Sequence, residues 1–121
     1  MTIETIQQTK KTLDAEALAE QEKSNLMVQM CEDAFAPFAA VIKAVIPNLK
    51  KDMIQYPTVK ASSFEYYYPR GSYCNWYASC SNNHTIEWGM YINVSGYSNR
   101  ESYTKDQFDV ELTKALAMAL V

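Results

Sequence analysis

The chain has 121 residues, of which 48% are hydrophobic, and this composition fits one folded domain with one hydrophobic core rather than a disordered chain. Only three glycines and one histidine occur, so neither a glycine-rich phosphate loop nor a histidine-based metal site is indicated. The formal net charge of −3 and the lack of any basic segment argue against binding to a nucleic-acid backbone.

Residues 1–23 are typical of a polar helix with one thin apolar stripe. The stripe consists of residues at helical spacing, namely Ile3, Ile6, Leu13 and Ala17. Lys10 interrupts the stripe, and most of the other side chains are Lys, Glu, Gln or Thr. We therefore expect a loosely packed helical arm that lies on the surface or pairs with a partner helix.

A dense apolar run follows this segment and predicts the central core helix. Ser24 or Asn25 is a suitable N-cap, and the apolar run continues to Ile46. We expect Pro37 to kink or split this helix and Pro47 to end it. Charged residues interrupt the run and leave it too short for a membrane span, so no membrane association is predicted.

Residues 58–95 predict three antiparallel strands, because apolar side chains alternate with polar ones. The apolar wall is formed by Phe64, Tyr66, Tyr68, Cys74, Trp76, Ala78, Cys80, Ile86, Trp88, Met90, Ile92 and Val94. Three-residue loops at Pro69–Gly71 and Asn82–His84 keep apolar residues opposite apolar residues. We expect the preceding stretch, 49–57, to be a connection and the following stretch, 96–102, to be a polar loop.

The same register predicts that the opposite face of the sheet is rich in tyrosine. It is formed by Glu65, Tyr67, Tyr73, Asn75, Tyr77, Glu87, Tyr91 and Asn93. The ring of Tyr77 is expected to cover Gly89, and the face should carry two acids and no base near its centre. Tyrosine is enriched at interfaces because it buries a large area and keeps a polar group. We take this face as the candidate binding surface.

The chain ends in a predicted helix. Thr104 and Gln107 have the spacing of a capping box. An apolar stripe follows them, formed by Phe108, Leu112, Ala115, Leu116 and Ala119. The complete order predicts an α+β two-layer sandwich in a single domain, 1–121, with N-terminal helices, a three-stranded antiparallel meander and a C-terminal helix.

No group of residues indicates catalysis, a metal or a cofactor. His84 lies in a turn without evident partners, so we expect no metal site and no enzyme activity. Cys74 and Cys80 lie on one strand about 20 Å apart, which excludes a disulfide between them. The odd number of cysteines and the lack of a secretion signal favour a reducing compartment, the cytoplasm.

These observations favour a small acidic protein-binding module, an inhibitor or adaptor that acts through the tyrosine-rich face. Small acidic proteins of this kind often block a larger partner, so we also expect a viral accessory protein that counters host defence. The partner is expected to be another protein, and a homo-oligomer is an alternative. A small ligand or nucleotide could instead stack on the face, and single-stranded RNA is a third candidate that the charge disfavours.

The order of one helix, three strands and one helix is similar to that of the double-stranded-RNA-binding domain. That family has a basic start to its last helix. Here the corresponding stretch, Thr104–Gln107, holds one base and one acid. The sequence therefore does not assign the chain to that family.

Overall fold

The computed structural model describes all 121 residues. The elements are helix α1 (Ile3–Val45), a short 3₁₀ turn (Ile46–Asn48), strands β1 (Gln55–Val59), β2 (Ser63–Tyr67), β3 (Tyr73–Cys80), β4 (Ile86–Val94) and β5 (Tyr97–Tyr103), and helix α2 (Lys105–Met118). The strands form one antiparallel sheet in chain order, and both helices pack on the same face of it. The chain is thus an α+β protein with two layers.

Helix α1 is one continuous helix, where the sequence predicted two. Ser24 and Asn25 lie inside it, because the residues around them are good helix formers and no glycine or proline interrupts the segment. Pro37 does not split the helix. Both Pro37 and Asp33 lie on its solvent side, so the Asp33 carbonyl group that loses its N–H partner is within reach of water. The helix ends just before Pro47, as predicted.

The first half of α1 does not contribute to the core. Every residue from 1 to 26 is exposed, and Cys31 is the first buried residue of the helix. At 1.5 Å per residue, the stretch 3–26, which we call the arm, is about 36 Å long. The arm coincides with the segment 1–23 for which loose packing was expected, and it extends that segment by three residues.

The core lies between the two helices and the apolar wall of the sheet. Phe108 of α2 is fully buried, and its ring lies 4.9 Å from Trp88, 5.8 Å from Trp76 and 6.4 Å from Phe35 of α1, measured between ring centroids. These contacts tie both helices to the sheet. The predicted capping box of α2 is confirmed: the backbone N–H of Gln107 donates to the Thr104 hydroxyl at 3.2 Å, and the N–H of Thr104 donates to Gln107 Oε1 at 3.0 Å.

The sheet has five strands, so the predicted three-stranded meander is wrong by two edge strands. Strand β1 begins within the stretch expected to be a connection, 49–57, and all of β5 except Tyr103 lies within the stretch expected to be a polar loop, 96–102. Edge strands face solvent more than central strands do, and β5 carries no apolar alternation that could have predicted it. The predicted register of the central strands is confirmed, with Phe64 opposite Trp76 and Trp76 opposite Met90.

The turns of the sheet use residues in the left-handed region. Gly71 has φ +82° and closes the first three-residue loop, as predicted. In the second loop the left-handed residue is His84, with φ +57°, rather than one of the two asparagines. Ser95 and Gly96 both have positive φ and join β4 to β5 in a two-residue hairpin turn.

Candidate functional site: the open face of the sheet

The face of the sheet opposite the helices is not covered by any other element of the chain. We call it the open face. All eight residues predicted to share it do so, because Tyr67 pairs with Tyr73, Asn75 with Tyr91, and Ser79 with Glu87. The two edge strands add residues that the sequence analysis did not include, namely Gln55, Thr58, Ser98, Arg100 and Ser102.

One aromatic or cationic side chain from each strand forms a continuous row across the open face. The row, which we call the tyrosine row, consists of Tyr56, Tyr67, Tyr73, Tyr91 and Arg100. Successive ring centroids lie 6.3, 5.4 and 6.0 Å apart, and the guanidinium carbon of Arg100 lies 5.3 Å from the Tyr91 centroid. These distances are typical of aromatic pairs and of a cation–π contact. With strands about 4.8 Å apart, the row spans roughly 19 Å.

A bulge in β1 positions the first member of the row. The pairing between β1 and β2 shifts between Gln55 and Thr58, and Tyr56 lies in this irregularity with φ +55°. A positive φ is uncommon for a residue other than glycine, and bulges at sheet edges often redirect a side chain. The ring of Tyr56 is 78% exposed and packs edge-on against Tyr67. The backbone irregularity therefore adds a fourth ring to the row.

Hydrogen bonds hold the hydroxyl group of Tyr91 in the row, and burial with a nearby carboxylate affects that of Tyr73. The Tyr91 hydroxyl lies 2.9 Å from the Ser98 hydroxyl and accepts from Asn93 Nδ2 at 3.5 Å, and these bonds lower the pKa of Tyr91. Burial and the neighbouring Glu65 carboxylate raise the pKa of Tyr73 to about 12. Ordered hydroxyl groups on rigid rings can give directional contacts at a low entropic cost.

The charges on the open face are balanced, because a base lies at each edge of the face, while no base lies near its centre. Lys60, in the loop after β1, pairs with Glu65 at 3.0 Å, and Arg100 lies over Tyr91. Glu87 lies towards the far end of the face, opposite Ser79. The face thus presents aromatic and neutral polar groups rather than a field of one sign.

Two further positions complete the surface. Tyr77 covers Gly89, as predicted: a Cβ atom at Gly89 would lie 2.5 Å from the Tyr77 hydroxyl oxygen. Asn75 lies between Glu65 and Tyr91, and its side-chain oxygen is buried without a hydrogen-bond partner. An unpaired amide of this kind is uncommon in folded proteins.

No tyrosine of the row lines any of the five main clefts of the molecule. A cleft of about 530 Å³ lies between the arm and one end of the sheet, and one of about 320 Å³ lies on the helix side near Met53 and Trp76. No group of three or more His, Cys, Asp or Glu side chains could hold a metal ion. No helix combines the length and the apolar character that crossing a membrane requires.

The three cysteines are free thiols. Cys74 and Cys80 lie on the same strand, as predicted. Cys31 of α1 lies beside Cys80, a contact that the sequence did not predict. Burial and this neighbouring thiol raise the pKa of Cys31, which makes it a poor nucleophile at neutral pH.

Among the open-face residues that sequence reasoning missed, Tyr56, Ser98 and Arg100 are the ones that contact the predicted tyrosines. All three lie on strands that the alternation of apolar residues did not reveal. The polar residues of β5 could have indicated a strand. Without an apolar side, however, they do not show which residues face the open side of the sheet.

Comparisons with protein-family models, with curated protein sequences and with solved structures found no match to this chain.

Proposed function

We propose that this protein is a protein-binding module, an inhibitor or adaptor, that contacts its partner through the open face. The tyrosine row is the observation that carries the proposal. It places four rings and one guanidinium group side by side on a face that no other part of the chain covers. Tyrosine and arginine are, with tryptophan, the residue types that most often dominate the binding energy of protein interfaces.

The composition of the open face also supports a protein partner. Beyond the tyrosine row, the face is made mostly of Ser, Asn, Thr and Gln side chains. Antibody binding surfaces have the same chemistry: rigid tyrosines supply contact area, and small polar residues supply adaptable hydrogen bonds. The unpaired oxygen of Asn75 is one acceptor that a donor could satisfy after a small shift of the surrounding rings.

The balanced charge indicates what kind of surface the partner offers. Lys60 neutralises Glu65, and Arg100 lies at the opposite edge, so the face does not imitate a polyanion. A partner surface of mixed polarity with apolar recesses for the rings therefore fits better than a strongly basic one. The cytoplasm remains the proposed compartment, on the basis of the odd number of cysteines.

The lack of a main cleft at the tyrosine row and the single cation in the row weigh against the two other candidate functions. Small-molecule sites are usually concave and enclose most of the ligand, and none of the five main clefts includes a tyrosine of the row. Single-stranded RNA requires several cations beside the stacking rings, whereas Arg100 is the one cation in the row.

The test compares matched tyrosine variants. Tyr67→Ala and Tyr91→Ala each remove a ring from the row. Tyr97→Ala is the control, because Tyr97 is 84% exposed but pairs with Val94, whose side chain lies in register with the helix side of the sheet. Each tagged variant is incubated with lysate of the source cells, and each captured protein is purified and its affinity measured by calorimetry.

We expect the partner to bind the wild type and Tyr97→Ala equally, and to bind the two row variants at least about tenfold more weakly. Equal binding to all four proteins would refute the role of the open face. Thermal-shift assays with nucleotides and anisotropy assays with single-stranded RNA test the alternatives. A response there that Tyr91→Ala abolishes would replace the protein-binding proposal.

A further inference from the structure

The thin apolar stripe of the arm continues the face of α1 that packs on the sheet. Each helical residue turns by about 100°, so Ile6, Leu13 and Ala17 project on the same side of the helix as Cys31 and Ile42. Ile6 and Leu13 are nevertheless 57% and 58% exposed, because the sheet does not extend beneath the arm. The arm thus presents a core-type face that nothing in the single chain covers.

The stripe has the spacing of a coiled coil. Its residues alternate at intervals of three and four, and we call them the arm stripe: Ile3, Ile6, Lys10, Leu13, Ala17, Glu20, Ser24 and Met27. Only two of the eight are charged, Lys10 and Glu20. A charged residue inside such a stripe commonly determines the orientation of the partner helix.

The positions of these two charges indicate the partner. Lys10 and Glu20 are each five residues from Ala15. In an antiparallel pair of arms that cross at Ala15, each Lys10 lies opposite the partner's Glu20, so two opposite-charge contacts form. In a parallel pair, lysine would face lysine and glutamate would face glutamate, which is unfavourable.

The remaining layers of this antiparallel pair also match in size. Leu13 lies opposite the partner's Ala17, and Ile6 lies opposite the partner's Ser24, so each large residue meets a small one. Ile3 lies opposite the partner's Met27, whose flexible side chain fits irregular gaps. The length of the stripe also agrees with that of the arm, because Met27 is the first half-buried residue of α1.

A cleft lies at the place where the end of the partner's arm would arrive. It has a volume of about 530 Å³ and lies between the last turns of the arm and the end of the sheet, where Ser24, Met27 and Cys31 face Ala78 and Cys80. The first turn of the partner's arm therefore has both a helix face and an adjoining recess to contact.

We propose that the arm stripe is a homodimerisation surface and that its occupant is the arm of a second copy, antiparallel and centred on Ala15. This surface is separate from the open face, so the dimer displays two open faces. Asp14 and Glu16 flank the crossing point, and each carboxylate lies near these acidic residues of the partner's arm and is repelled by them. Within one arm, Lys10 pairs with Asp14 at 2.9 Å. With few large apolar layers and this repulsion, we expect a dissociation constant in the micromolar range.

Charge exchange tests the orientation in the full-length protein by analytical ultracentrifugation. Lys10→Glu and Glu20→Lys each convert two attractive contacts into two repulsive ones, and we expect each to weaken the dimer about tenfold or more. The double variant Lys10→Glu/Glu20→Lys restores the attraction and the dimer. The controls Lys11→Glu and Glu22→Lys make the same charge changes on the opposite side of the arm and should leave dimerisation unchanged.

Three results would overturn the proposal. The first is a monomeric wild type at about 500 µM, well above a micromolar dissociation constant. The second is a dimer that Lys10→Glu and Glu20→Lys do not weaken, since a parallel pair keeps its like-charge contacts in both variants. The third is a dimer that survives Leu13→Glu, because that dimer would use another surface. None of these results depends on whether the open face binds a partner.

Discussion

The hydrogen bond beneath the open face between Tyr66 and Trp76 gives a stability prediction of defined size. The indole Nε1–H of Trp76 donates to the Tyr66 hydroxyl at 3.1 Å, and the two residues are only 5% and 2% exposed. Tyr66→Phe removes the acceptor and leaves nearly all of the packing intact. The N–H group of Trp76 then stays buried without a strong partner, since water cannot reach it.

A buried donor left without its partner costs about 1–3 kcal/mol. The sulfur of Cys74 neighbours the Tyr66 hydroxyl and Trp76, but sulfur is a weak acceptor. We therefore expect Tyr66→Phe to lower the free energy of unfolding by about 1–2 kcal/mol. Tyr68→Phe is the matched control: its hydroxyl lies 3.5 Å from that of Tyr66 and is partly exposed, so its loss should change stability by less than about 0.5 kcal/mol.

Urea unfolding followed by tryptophan fluorescence measures the effect. With a urea dependence of about 2 kcal/mol per molar, the midpoint of Tyr66→Phe should fall by about 0.5–1 M. Combining Tyr66→Phe with Trp76→Phe removes both partners, so the double variant should be more stable than the sum of the single losses indicates. Equal midpoints for Tyr66→Phe and Tyr68→Phe would refute the reasoning.

Two further predictions concern the hairpin turn and the buried tyrosines. Gly96→Ala places a side chain at φ +87° in open space, so we expect a purely conformational loss of about 1 kcal/mol in the free energy of unfolding, measured with urea. The control Ser95→Gly, at φ +51°, should not destabilise the protein. An increase in stability from Gly96→Ala would contradict this reasoning. Burial raises the pKa of Tyr66, and burial with Glu65 raises that of Tyr73 to about 12, whereas unfolded tyrosines titrate near 10. As the pH rises, the tyrosines of the unfolded state therefore lose their protons first, which favours unfolding. Urea unfolding should show full stability at about pH 9 and a clear loss of stability at about pH 11. Equal urea midpoints at the two pH values would be evidence against these pKa shifts.

The central hairpins could be predicted from the sequence because two independent signals agreed. Apolar residues alternated along β2, β3 and β4, and the loop lengths around Gly71 and His84 kept that alternation in register. The edge strands could not be predicted in this way. Strand β5 is exposed along nearly its whole length and has no apolar side, and β1 is short and contains a proline and a bulge. The helix break predicted at Ser24 failed because a residue that favours caps is tolerated within a helix when it is exposed.

The same difference between central and edge strands applies to the residues of the candidate site. The three inner rings of the tyrosine row, Tyr67, Tyr73 and Tyr91, followed from the register of the central strands. Tyr56 and Arg100 did not, because they lie on the strands that the sequence analysis missed. Arg100 matters most among the omissions, since together with Lys60 it balances the two acids of the face and thereby changes the kind of partner that fits.

The chain-order arrangement of the sheet has a consequence for folding kinetics. Each strand pairs only with its neighbours along the chain, so every strand pairing closes a short loop. Short loops carry little closure entropy, and β-hairpins of this kind form in microseconds. Growth of the sheet can therefore begin at the Ser95–Gly96 hairpin or at either central hairpin. The slow step should be the docking of α1 and α2, which brings Phe35 and Phe108 together from distant parts of the sequence.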